Sequence, residues 1–283
     1  MASFTNFATL SYNGGTTNSN IVTGEILEAL TAVKTAVSAN YSAGDRITYA
    51  LSLVNTGTAA VTDYTVTDNL GGYTVGANTV YPLAYNAGTV RYYINGVLQT
   101  APTVTAGPPL TVTGLTVPAG GSAVLIYETT ATTVAPLATG SSITNSATIT
   151  GGGLTNPITA QATVETANSA DLTISKALSP TTVTENGQIT YTFVISNTGN
   201  TEATATGNVV VTDTFAPILR NIAVTYNGTA WTEGTNYTYN AATGVFTTLA
   251  GQITVPAATF TQNTDGTFTV TPGTATLVIT GTI

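Results

Sequence analysis

Nearly every stretch of the chain alternates apolar and polar residues with a period of two. Tyr49, Leu51 and Leu53 are spaced this way, as are Tyr191, Phe193 and Ile195. That period sends successive side chains to opposite faces of a strand and buries one face. Gly, Asn and Pro clusters interrupt the runs at short intervals, as the turns of a β-sandwich require. Helix formers gather in one place, GEILEALTAVKTAV at residues 24–37. Its counterpart later in the chain, ADLTISKAL, alternates as a strand, so both segments are expected to be strands. The pattern predicts an all-β protein.

The chain is an internal duplication. Residues 34–70 read KTAVSANYSAGDRITYALSLVNTGTAAVTDYTVTDNL, and residues 176–215 read KALSPTTVTENGQITYTFVISNTGNTEATATGNVVVTDTF. Both copies share a Lys, then ITY, then an alternating run ending in NTG, then VTD. The Lys-to-Asn separation is identical in the two copies, from Lys34 to Asn55 and from Lys176 to Asn197. The Lys-to-Asp separation is slightly longer in the second copy, from Lys176 to Asp213 against Lys34 to Asp68, which marks a short loop insertion there. Further on, GGSAVLIYE (120–128) matches PGTATLVIT (272–280).

The run DLTISK, QITYTFVISNTG and VVVTDTF resembles the bacterial surface repeat called domain of unknown function eleven. The resemblance covers residues 24–283 and includes the Lys, NTG and VTD landmarks twice. It implies tandem immunoglobulin-like β-sandwiches on a bacterial surface protein. Some related sandwiches carry an internal Lys–Asn isopeptide bond. The size and the two-repeat layout also resemble appendage proteins of clostridial endospores.

Strand parity places charged residues inside. Leu172 and Ile174 alternate up to Lys176, and Leu30 and Ala32 up to Lys34, so both lysines face the core. Val66, Asp68 and Leu70 share a face, as do Val209, Val211, Asp213 and Phe215. Ile143, Asn145, Ala147 and Ile149 put Asn145 inward. Burial pushes a lysine pKa down and an aspartate pKa up. A neutral amine is a nucleophile, and a protonated Asp68 or Asp213 can polarise an amide carbonyl. Held side by side, the Lys34 amine can attack the Asn145 side chain, release ammonia and leave a neutral amide cross-link. The plainer alternative is a lysine that snorkels to water and an aspartate that caps a turn.

The second copy has no counterpart of Asn145. Ala123 aligns with Ala275, and carrying the spacing from Ala123 to Asn145 forward from Ala275 leads past Ile283. The N-terminus supplies a match: FTNFATLSYNG (4–14) against ITNSATITGGG (143–153), with TN-x-AT in common. The expected organisation is a donor strand (1–13), a flexible linker (14–23), a complete sandwich (24–165) and a second sandwich lacking its last strand (166–283). Donation of the N-terminal strand to the next subunit's second sandwich would bring Asn6 to Lys176 and Asp213. Such a head-to-tail contact propagates into a filament unless it closes a ring. Folding back onto the chain's own second sandwich competes, and the short linker disfavours it. The plainer alternative is a frayed terminus.

Composition narrows the function classes. The chain has no Cys and no His, which excludes disulfides, Cys/His zinc sites and a Ser-His-Asp site. Two Lys and three Arg cannot form a nucleic-acid patch. Charged residues make up 6% of the chain, net charge is −8, and Thr alone fills close to a quarter of all positions. That balance suits a folded, extracellular β-protein better than a disordered one. No apolar run is long enough for a membrane helix, and the first residues lack the pattern of a secretory leader. No cofactor, metal site or enzymatic activity beyond self-cross-linking is expected. The expected partner is the chain itself, on a bacterial cell or spore surface, with other surface or appendage proteins admitted. The second reading is an adhesin or ligand-binding module built from two such sandwiches.

Overall fold

The computed structural model describes residues 2–26 and 29–283. They form β-strands joined by turns, with a 3-10 turn at Ala205–Gly207. The chain divides into two compact units, one within residues 1–135 and 142–165, the other within 136–141 and 166–283. Each is a β-sandwich, as the two-residue period predicts.

The N-terminal segment holds β1 (Ala2–Asn6), β2 (Thr9–Tyr12), β3 (Gly15–Asn18) and β4 (Val22–Ile26). β1 pairs antiparallel with β4, and β2 with β3. Residues 2–26 are therefore a hairpin, turning where Gly14 takes a φ of 129°, a conformation that side chains disfavour. The polar stretch 14–23, expected to be a flexible linker, carries β3 and the start of β4. Its main-chain N–H and C=O groups pair with those of β1 and β2, setting Val22 opposite Asn6 and Asn18 opposite Thr9.

The first unit has two facing sheets. Its strands are β5 (Leu30–Ala36), β6 (Arg46–Asn55), β7 (Val61–Asp68), β8 (Arg91–Ile94), β9 (Leu110–Val117), β10 (Ser122–Ala131), β11 (Ser142–Gly151) and β12 (Ile158–Thr166). One sheet runs β8-β10-β6-β5 and the other β9-β7-β11-β12, with short strands at their edges. The helix formers at 24–37 are strands on both sides of residues 27–28, which lie outside the described residues. Pairing of β5 with β6 over Leu30–Ala36 overrides their helical propensity.

The second unit repeats the first sheet and only part of the second. Its main strands are β13 (Leu172–Ser179), β14 (Gln188–Asn197), β15 (Thr212–Thr214), β16 (Arg220–Tyr226), β17 (Tyr237–Asn240), β18 (Val245–Thr248) and β19 (Gly273–Thr282), beside a short edge strand at Thr229–Trp231 and a separate hairpin of Thr259–Gln262 with Phe268–Thr271. The order β16-β19-β14-β13 reproduces β8-β10-β6-β5. Opposite it runs β17-β18-β15, matching the side of the first unit that ends at β7. Among the described residues, no strand takes the places of β11 and β12.

The repeated NTG has a structural role in both units. Asn55 is buried; its amide donates to Ala59 O (2.8 Å) and Val117 O (3.3 Å), and its oxygen accepts from Gly57 N (2.9 Å). Asn197, also buried, donates to Thr201 O (2.8 Å) and Pro256 O (3.0 Å) and accepts from Gly199 N (2.9 Å) and Asp171 N (3.0 Å). The glycine is required by crowding: a Cβ on Gly199 would lie 2.2 Å from Ser169 O. Asn197→Ala strands several buried backbone groups at once. It is expected to destabilise the second unit by about 2–4 kcal/mol, read as a lowered urea midpoint.

Candidate functional site

In the first unit, β5 on one sheet and β7 on the other bring Lys34 and Asp68 face to face. Lys34 Nζ donates to Asp68 Oδ2 at 2.6 Å, and both side chains are buried, at 0% and 1% exposure. The same Oδ2 accepts from the Tyr127 hydroxyl, and Oδ1 accepts from Leu70 N at 2.8 Å. Lys34 Nζ stands 4.9 Å above the Tyr49 ring and 5.9 Å from that of Tyr127. Those two tyrosines are opposite each other on β6 and β10.

Asn145 reaches the same aromatic box from β11. Asp68 pairs with Ala147, two residues along from Asn145, so the two side chains share a face. Asn145 is fully buried beside the Tyr49 and Tyr127 hydroxyls. Among the described residues, neither its side-chain oxygen nor its nitrogen has a hydrogen bond of good geometry, although the amide lies close enough to the Tyr49 and Tyr127 hydroxyls to favour their ionised forms slightly. A buried carboxamide with both ends unpaired is costly and rare in folded proteins.

The electrostatics favour a reactive amine. Burial pulls the Lys34 pKa from 10.5 down to about 8, outweighing the attraction of Asp68. Burial, followed by the Asp68 charge, pushes Tyr127 far up, so it stays a protonated donor to the carboxylate. Tyr49 is raised for the same reasons. A partly neutral amine, the Asp68 carboxylate and the Asn145 amide occupy one dry space.

The second unit holds the same pair in the open. Lys176 Nζ meets Asp213 Oδ2 at 2.5 Å, but the side chains are 40% and 19% exposed. Lys176 lies 4.5 Å above the Tyr191 ring and 5.5 Å from that of Phe215. Asp68 has strand partners on both sides, Leu110 and Ala147. Asp213 pairs with Phe246 on one side, and among the described residues no strand is registered on the other. Beside this free edge, Leu172, Ile174, Ile195, Val209, Val210 and Val211 line an apolar slot of about 160 Å³. Ile174 and Val210 are 54% and 45% exposed there.

The structure buries Lys34, Asp68 and Asn145 on the faces that strand parity predicts, whereas Lys176, expected inside, is exposed and Asp213 only partly buried, because among the described residues no strand covers them. Asn6 lies on β1, opposite Val22 on β4. Its expected meeting with Lys176 involves a second copy of the chain. Sequence reasoning missed Tyr127 and Tyr49. Tyr127 sits two residues beyond Leu125 on the inward face of β10, and its repeat counterpart is Ile279. That exchange marks a position where the two sites differ.

No family model matches the chain, and no curated protein matches it. The repeat resemblance therefore stands on the Lys, NTG and VTD landmarks themselves. Among solved structures, similar ones come from pilins and adhesins of Gram-positive bacteria. The N-terminal domain of a Streptococcus gordonii adhesin shares 13% identity over 48% of this chain and 32% of its own, with a TM-score of 0.36. The pilus backbone protein RrgB of Streptococcus pneumoniae shares 14% over 86% and 55%, with a TM-score of 0.36. BcpA, the major pilin subunit of Bacillus cereus, shares 14% over 96% and 73%, with a TM-score of 0.35. The chain spans about a third of the adhesin structure and about half of RrgB. At these identities and scores, the likeness says nothing about what this chain binds or builds.

Proposed function

We propose that the protein is the repeating subunit of a bacterial surface or spore-appendage fibre. Subunits join head to tail when the N-terminal segment of one completes the second sandwich of the next. The observation that carries this reading is the contrast between the two units. The first has a sealed Lys34–Asp68 pair with Asn145 beside it. The second has the same pair at a sheet edge that is open among the described residues, and a segment matching β11 lies at residues 4–14.

Isopeptide bonds lock both sites. The neutral Lys34 amine attacks the Asn145 side-chain carbon. A C–N bond forms, the bond to the amide nitrogen breaks, and a proton passes from Nζ through Asp68 to the departing ammonia. The product is uncharged, and it removes the unpaired NH₂ group of Asn145. Between subunits, Lys176, Asp213 and the neighbour's Asn6 take the same roles. The orphaned Asn145 amide and the lowered Lys34 pKa support the chemistry. No enzymatic activity on other molecules is assigned.

The test is a boiled SDS gel with intact masses, comparing the parent chain and Asn6→Ala. A ladder in the parent that is absent from the variant, with one ammonia lost per bond, is the expected result. A ladder that survives in Asn6→Ala would overturn Asn6 as the acceptor. A parent chain that runs as one band, at any concentration, would overturn covalent joining.

A further inference from the structure

The N-terminal hairpin points to a larger donated element than one strand. We infer that subunits exchange the whole hairpin, residues 2–26, as a two-stranded insert. This rests on the head-to-tail reading above and refines what enters the groove.

Two strands have no counterpart among the described residues of the second unit, those equivalent to β11 and β12. In the first unit these form a hairpin that closes the second sheet. Asn145 on β11 pairs with Ala162 on β12, and Ile143 pairs with Val164. The N-terminal hairpin repeats that arrangement: Asn6 pairs with Val22, and Phe4 pairs with Gly24. The separation between the asparagine and its partner is nearly the same in the two hairpins. Directly paired residues share a face, so Phe4, Asn6, Val22 and Gly24 lie together.

Contacts across this face show a fitted pair. A Cβ on Gly24 would lie 2.4 Å from the Phe4 ring, so the ring spans both strands. At the matching station the first unit buries Ile143 beside Val164. One large ring over a glycine replaces two middle-sized aliphatic side chains. Among the described residues nothing covers this face: Phe4 is 55% exposed and Val22 57%. An apolar, twisted two-stranded ribbon gains stability when a sheet edge and an opposing sheet receive it. The open edge at β15, with exposed Lys176 and Asp213, offers both. A second copy of this chain is the occupant, because the first unit already shows the fitted arrangement. In the assembled sandwich the order would run β17-β18-β15, then β1 with β2, then β4 with β3.

Thr5 and Thr23 pair across the hairpin and are exposed, on the face away from Phe4 and Asn6. Directly paired residues of antiparallel strands are about 4.5–5.5 Å apart at Cα, within disulfide range. The parent chain has no cysteine. Thr5→Cys with Thr23→Cys therefore ties β1 to β4 by one removable bond. The oxidised double variant is expected to give the parent's SDS ladder within about twofold in rate. An oxidised variant that stays monomeric and ladders only after reduction would overturn the inference, because β1 would have to leave β4 to insert. Val22→Asp is expected to cut ladder formation at least tenfold, and Thr23→Asp to leave it unchanged. Equal laddering in both would also overturn hairpin exchange. If the parent chain itself forms no ladder, it is head-to-tail joining that fails.

Discussion

Asn145→Ala is expected to retain the full mass of its sequence, and the parent chain to be lighter by at least the ammonia of the proposed internal bond. The proposed bond from Lys34 to Asn145 would close a loop of about 110 residues and, by analogy with a disulfide of that span, would contribute roughly 4–5 kcal/mol. For a unit of this size, the variant should melt about 10–20 °C lower. A second effect separates the lost bond from simple cavity formation. In the variant, the Lys34 amine survives, with its pKa lowered by burial from 10.5 to about 8. Below pH 8 the folded and unfolded chains both hold this proton. Between about 8 and 10.5 the unfolded chain holds it and the folded chain has released it. Stability then rises with pH across that window. With Lys34 consumed in the proposed bond, the parent chain would lack this rise. Urea midpoints at pH 7 and pH 10 test the point. An unmodified parent mass, together with equal pH responses in the two proteins, would overturn the internal cross-link.

Asp213→Ala is expected to separate assembly from locking. The groove at β15 and the N-terminal hairpin remain, so subunits still associate. Without the carboxyl group, the proton relay proposed beside Lys176 would be lost. Loss of a positioned acid–base group typically costs about 10²–10⁴-fold in rate. Fibres should still appear in electron micrographs but fall to monomers on boiling in SDS. A time course of the ladder gives the rate. A rate unchanged from the parent would remove Asp213 from the chemistry. The exposed Lys176–Asp213 pair itself contributes little to folding, because water screens it.

Much of the fold can be read from parity alone. A lysine or aspartate that continues an apolar alternation has one direction to point, and Lys34, Asp68, Lys176 and Asp213 point that way. Asn145 follows from Ile143 and Ala147 in the same manner. Parity is silent where inward residues look ordinary. Tyr127 and Tyr49 read as core aromatics, and only the facing sheets reveal that their hydroxyls surround Asp68 and Asn145. Asn55 and Asn197 read as turn residues. Their role in tying loops together depends on carbonyls far along the chain, at Val117 and Pro256. Residues 14–23 are hardest to read, because Gly, Thr, Ser and Asn suit a linker as well as an exposed strand. Pairing with β1 and β2 decides between the two.

The free edge at β15 also gives such a fibre direction. The two ends of the proposed fibre would be chemically unlike: one would display a bare groove with Lys176 and Asp213, the other an unclaimed hairpin with Asn6. An anchor that fits one end has no purchase on the other. Growth, attachment and termination can therefore be controlled separately, each by a partner that reads a single end.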